Sequence, residues 1–255
     1  MNLPQNTFKA AVKSGRQQIG LWSSLASHIS TEVIAGSGFD WILLDMEHSP
    51  NDLADVYVQL QAIMEGPTQA MVRVPSDDPI TIKRILDAGA LSLMIPNVED
   101  AAQAARAVAA TRYAPRGVRG FSQAPRAARF GRVANYHSLC EEQIFVTVQI
   151  ESQRALDNLE EIAAVEGVDG VFVGPGDLST SLGYIGRQGH EDVVATIEAT
   201  LKRIVAAGAV PGILTGDETL ARRYIGAGSL FTAVGSDMSL LARTTEALAK
   251  RFRQG

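Results

Sequence analysis

Glu151 and Asp177 each stand near the end of a short apolar run, "IFVTVQIE" and "VDGVFVGPGD". A carboxylate there needs a partner, because an isolated charge taken out of water is strongly destabilised. On neighbouring strands, whose axes lie about 5 Å apart, the two carboxylates can converge on one cation. Oxygen ligands with room for water and a chelating substrate suit Mg2+, Mn2+ or Co2+ better than structural zinc, which prefers a closed Cys/His tetrahedron. The competing reading is structural: each acid caps the helix that follows it or pairs with an arginine.

Other polar residues close similar runs. Gln149 precedes Glu151 by two positions and so shares its side of a strand, where its amide can hold a substrate oxygen. In "VGPGD", Gly174 and Gly176 permit close approach of a ligand to the backbone, and the amide of Asp177 is an anion donor. Arg73 ends the otherwise apolar "AMVRVP", where its fork of donors suits a carboxylate or a developing enolate; an internal ion pair to Asp45 or Glu47 is the alternative. His48, in "LDMEHSPND", stands beside those acids and is a candidate general base, or a polar residue satisfied locally. Asn97, Thr215, Ser236 and Asp237 also fall at run ends. Trp22 and Trp41 read as core.

These residues need a scaffold that gathers strand ends. The runs "QIGLWSS", "WILLDMEH", "QAMVRVP", "LSLMIPN", "IFVTVQIE", "VDGVFVGPGD", "VPGILTG" and "LFTAVGSD" alternate with amphipathic segments, each expected to form one helix. Eight such units in 255 residues predict an α/β fold, a (β/α)8 TIM barrel in a single domain over residues 1–255. Chemistry in that fold sits at the C-terminal ends of the strands, where all the candidates lie. The segment "RYAPRGVRGFSQAPRAARFGRVANYHSLCEEQ" is too long for a turn; its Arg116, Arg119, Arg126, Arg129 and Arg132 suit an acidic substrate's far end, a subunit contact or a solvated face.

A formal charge of −5 argues against nucleic acid or an anionic membrane as partner, leaving a small-molecule substrate. The single cysteine, Cys140, makes no internal disulfide, the opening residues lack the apolar core of a secretory signal, and no run is long enough to span a bilayer; a cytoplasmic protein is expected.

Taken together, "WILLDMEHSPND", "MVRVP", "IKRILDAGALSLMIPNVEDAAQA", "YAPRGVRG", "VQIES" and "VGPGDLSTSLG" resemble the metal-dependent, class II pyruvate aldolases of the 4-hydroxy-2-oxoheptanedioate aldolase type, over nearly the whole chain. The resemblance implies reversible cleavage of a 4-hydroxy-2-oxo acid to pyruvate and an aldehyde, with a divalent metal held by Glu151 and Asp177. It places Gln149, Gly176, Asp177, Leu214 and Arg73 against substrate, makes His48 the base and Arg73 the transition-state stabiliser, groups Asp45 with the catalytic residues, and gives Asp87 the task of raising the basicity of the histidine. It also implies a homo-hexamer, a trimer of dimers, in which the last helix packs on a neighbouring barrel. Gly176 stands where some relatives carry alanine, and "GFSQAPRAARFG" departs from the pattern expected around the distal end of the substrate. A lysine Schiff base is disfavoured, since Lys9, Lys13, Lys83, Lys202 and Lys250 fall in the N-terminal segment or on expected helices. A lyase for acyl-CoA thioesters and a non-catalytic barrel binding a 2-oxo acid are the remaining alternatives.

Overall fold

The computed structural model describes residues 1–253. Its strands β1 (Gln18–Ser23), β2 (Trp41–Asp45), β3 (Gln69–Arg73), β4 (Ser92–Ile95), β5 (Phe145–Ile150), β6 (Gly170–Val173), β7 (Val210–Leu214) and β8 (Phe231–Ser236) close in sequence order into one parallel barrel, as expected.

Alternation along each strand separates the two cores. In β2, Trp41 and Leu43 join Met71, Met94, Phe145, Phe172 and Phe231 inside the barrel. Ile42 and Leu44 point outward and pack with Val72, Ile82, Ile85 and Val148 beneath the helices. Each such side chain, fully buried, stabilises by about 1.5–3 kcal/mol. The helix Thr7–Lys13, absent from the sequence-based expectation, closes the N-terminal mouth: Phe8 is buried and meets Phe145 edge-on at 5.3 Å between centroids. Gly212 makes room inside, because a Cβ there would come within 2.3 Å of the Phe231 ring.

The helices start where a side chain can satisfy an orphan N–H. Asp78, Asp100, Ser152 and Asp217 each accept from the backbone N–H three residues on, a contact worth about 1 kcal/mol. One expectation is corrected: "SQRALDNLEEIAAVEG" forms two helices, Gln153–Asp157 and Leu159–Ala163, instead of one. They break at Asn158, whose side chain donates to the carbonyl of Glu99 at 2.8 Å; asparagine readily trades helical geometry for such a local bond.

The long segment before β5 folds against the helix Pro79–Ala88. Its core is Ala127, Ala128, Val133, Tyr136 and Cys140. Arg119 pairs with Asp87 at 2.8 Å, Arg116 pairs with Glu141 and Glu166 at 2.8 and 2.9 Å, and Arg126 donates to the carbonyl of Ala88. The last helix, Asp237–Arg253, is anchored by Asp237, which accepts from Ser23, Ser24 and Leu25, while its Leu240, Leu241, Leu248 and Phe252 are exposed. Among the described residues, no helix is long and apolar enough to cross a membrane.

Candidate active site

The C-terminal mouth of the barrel holds a cavity of about 330 Å³, whose walls include His48, Arg73, Gln149, Glu151, Asp177 and Leu214. Strand register explains the first cluster. Asp45 and Arg73 are direct partners across β2 and β3, and both face inward because they continue the alternation begun at Trp41 and Met71. Arg73 donates from Nε to Asp45 Oδ1 at 2.9 Å and from Nη2 to Asp45 Oδ2 at 2.7 Å. Its Nη1 lies 2.8 Å from Glu47 Oε2, without the alignment of a hydrogen bond. Two of the five guanidinium N–H groups are left for another acceptor. The ion pair to Asp45 and Glu47 and a role toward substrate are therefore compatible: the pair fixes the guanidinium at the cavity wall.

Asp45 lies behind Arg73, nearly inaccessible, and also accepts from the backbone N–H of Glu47 at 3.0 Å and His48 at 3.4 Å. It thereby shapes the turn that carries His48. Burial alone would raise the Asp45 carboxyl, but the hydrogen bonds and charge of Arg73 outweigh it and hold the group below its ordinary value. Glu47 moves the other way, raised by burial against the pull of Arg73 and His48. Trp22 belongs to the core, as expected, and also serves the site. Although buried, it lines the cavity, donates from Nε1 to Asp45 Oδ2 at 3.1 Å and lies under Arg73, 4.9 Å from ring centroid to guanidinium carbon.

Glu151 forms the second cluster. It follows β5, is 5% exposed, and accepts from the backbone N–H of Asn97 and from Gln149 Nε2, each at 3.0 Å. Burial pushes its carboxyl up to about 7; the Asn97 hydrogen bond opposes this, while the charges of Glu47 and Asp177 add to it. Gln149 Oε1 is buried without a hydrogen-bond partner among the described residues. Asp177 is exposed in the first turn of the helix Pro175–Ser181, so "VGPGD" leads into a helix directly after β6.

The glycines of that turn differ in what they tolerate. A Cβ on Gly174 would stand 2.3 Å from Glu151 Oε1, whereas one on Gly176 would meet only Gln188 Nε2, at 3.4 Å. Gly174→Ala is expected to displace the Glu151 carboxylate and lower activity about 10- to 100-fold, while Gly176→Ala stays near wild type. Steady-state assays of the two variants, with circular dichroism to confirm the fold, check this. Gln188 is a cavity residue that the sequence reading did not include; it arrives from a loop between helices, where no strand register announces it.

His48 is exposed at the rim, and its ring makes no hydrogen bond among the described residues. Asp87 is not brought to it within one chain. It sits on the helix Pro79–Ala88, bound to the buried Arg119.

Residues 18–244 match the profile of the HpcH/HpaI aldolase/citrate lyase family. The chain belongs to that family. An HpcH/HpaI family protein from Burkholderia cenocepacia superposes with a TM-score of 0.94 at 41% identity, over 98% of this chain and 100% of that one. Among curated relatives, a protein named pyruvate aldolase from Rhizobium etli is 51% identical over 99% of both chains. One named 4-hydroxy-2-oxo-heptane-1,7-dioate aldolase from Escherichia coli is 51% identical over 97% of this chain and 95% of its own. For an HpcH/HpaI family chain, the barrel mouth is the place where chemistry is expected, and both carboxylates and the arginine singled out from sequence meet there.

Proposed function

We propose that this enzyme, a carbon–carbon lyase, reversibly cleaves a 4-hydroxy-2-oxo acid, such as 4-hydroxy-2-oxoheptanedioate, to pyruvate and an aldehyde, such as succinate semialdehyde. The observation that carries this reading is Glu151: a buried carboxylate pushed up to about 7, next to further acids, in a cavity where the guanidinium of Arg73 is already engaged by other carboxylates. Such a group fits a cation. The orphaned Gln149 Oε1 beside it and the missing Cβ of Gly174 leave an oxygen-lined place of the right character. Among the described residues no group of three or more His, Cys, Asp or Glu converges for a metal. Glu151 and Asp177 would hold the ion as a pair, which suits Mg2+, Mn2+ or Co2+, ions that keep water and substrate oxygens in their shell. A bound divalent cation supplies Lewis acidity at the keto oxygen of the substrate.

The remaining work falls to the chain. Breaking the C3–C4 bond leaves negative charge on the pyruvyl fragment, and Arg73, held rigid by Asp45, donates its free N–H groups to the oxygen that gathers it. His48 takes the C4 hydroxyl proton during cleavage and returns it during synthesis. Gln149, Gly176, Asp177 and Leu214 contact the oxo acid. Asp87 raises the basicity of His48 on a neighbouring subunit, which requires a homo-oligomer; a hexamer built as a trimer of dimers, with the leucine-rich face of the last helix covered by a neighbour, meets that need. We place the enzyme in the cytoplasm.

Among the described residues, the wall around Gln188, Thr215, Ser236 and Ser239 offers neutral hydrogen-bonding groups and no cation. That favours a second reading of the substrate, a 2-keto-3-deoxy sugar acid giving a hydroxylated aldehyde. The test is a panel of aldehydes with pyruvate, assayed after EDTA and again with each metal. Activity lost on chelation and restored by Mn2+, Mg2+ or Co2+ supports the proposal; activity indifferent to EDTA contradicts it. Among the described residues no lysine lines the cavity, so borohydride reduction with pyruvate is expected to leave the protein mass unchanged.

A further inference from the structure

Asn97 follows β4 with a φ of 53°, in the left-handed region that few residues other than glycine, asparagine and aspartate visit readily. It is pinned at several points. Its backbone N–H donates to Glu151 Oε2 at 3.0 Å, its side-chain Nδ2 donates to Glu47 Oε1 at 3.0 Å, and its carbonyl accepts from Gln103 Nε2 at 3.1 Å. Gln103 is itself fixed, accepting from the N–H of Glu99 at 3.0 Å and capped by Asp100 at 2.9 Å. Glu47 in turn faces Arg73 at 2.8 Å. A continuous path thus runs from Glu151 through Asn97 and Glu47 to Arg73.

Backbone geometry does not account for the side chain. Glycine adopts a φ of this sign more easily than asparagine, and a glycine would keep the N–H that holds Glu151. What glycine lacks is the amide that reaches Glu47. Without that amide, Glu47 keeps only a poorly aligned contact with Arg73, in a place where burial already disfavours its charge.

We propose that Asn97 is a positioning residue: it sets the spacing between Glu151, after β5, and Arg73, at the end of β3, by holding the first through its backbone and by adding, through Glu47, to the hold that Asp45 has on the second. The inference rests on the aldolase reading above for its effect on turnover, though not for its effect on Arg73.

Asn97→Gly separates this role from a structural one. The variant is expected to melt close to wild type, since glycine's greater ease at this φ offsets the lost contact to Glu47, yet to lose about 10- to 100-fold in kcat with little change in the KM for pyruvate. Asn97→Asp is expected to fall further, because it sets a carboxylate against Glu47 Oε1. A second readout needs neither metal nor substrate. Arg73 lies over Trp22, so the tryptophan emission of the metal-free Asn97→Gly protein should differ from that of wild type. Wild-type kcat with unchanged emission would overturn the proposal, and so would an activity loss that merely follows a lowered melting temperature. If wild type itself shows no aldol turnover, the aldolase reading fails, and the emission comparison alone decides whether Asn97 holds Arg73.

Discussion

Arg73→Ala is expected to lower kcat by roughly 10²–10³-fold, the usual effect of removing one donor to a developing oxyanion, and to destabilise the protein by about 3–5 kcal/mol. Both effects follow from the same geometry. Arg73 is 6% exposed, and its guanidinium bridges both oxygens of Asp45, which is 1% exposed. Its removal leaves Asp45 charged with only Trp22 and backbone N–H groups as donors. Arg73→Lys separates the effects: it restores a positive charge and part of the stability, but a point-like ammonium cannot serve Asp45 and a substrate oxygen in a fixed fork. Its kcat is therefore expected to stay low while its urea midpoint recovers. Steady-state kinetics and urea denaturation of the two variants measure this; an Arg73→Ala protein as stable as wild type would contradict the account of the ion pair.

Glu151→Gln is expected to abolish metal-supported turnover, a loss on the order of 10³-fold or more if the ion contributes several kcal/mol to the transition state. The same substitution carries an opposite effect on stability. In metal-free protein, the Glu151 carboxyl is raised by burial from its unfolded 4.5 to about 7. A raised value means that the folded state binds the proton more tightly than the unfolded chain. The associated stability is fully present below about pH 4.5 and is lost as pH rises through about 7, an effect of about 3 kcal/mol at most. Glutamine stays neutral and escapes this loss, so metal-free Glu151→Gln should be more stable than metal-free wild type at pH 8 and close to it at pH 4.5. Urea titrations across that range, with chelator present, test the sign. Parallel curves for the two proteins would mean that the carboxylate is not disfavoured by its surroundings.

The period of two in the apolar runs made the strands legible, and with them Arg73, Gln149 and Glu151, because a strand's last inward residue must face the barrel mouth. Gln149 and Glu151 share a face by spacing alone, and the 3.0 Å bond between them bears this out. Register between strands is a different matter. That Asp45 opposes Arg73 depends on how β2 slides against β3, which no local pattern dictates. Trp22 is core, as its sequence context suggests, but its donation to Asp45 becomes visible only when β1 is set beside β2. The strand register sets Trp22 level with Leu43, one inward position below Asp45, so only the reach of its indole brings it to the carboxylate. Gln188 and the break at Asn158 left no trace in the sequence pattern. Both depend on loop geometry and single hydrogen bonds, to which hydrophobic periodicity is blind.

Glu151 and Asp177 are proposed to hold one divalent cation together in the barrel mouth. Calorimetric titration of Mn2+ into chelator-treated wild type, Glu151→Gln and Asp177→Asn at pH 6, in two buffers of different ionisation enthalpy, tests it most directly. About one ion is expected to bind per wild-type chain, with a proton released as Glu151 ionises, and binding is expected to be lost in both variants. Variants that bind Mn2+ as tightly as wild type, or a wild type that binds none, would contradict it.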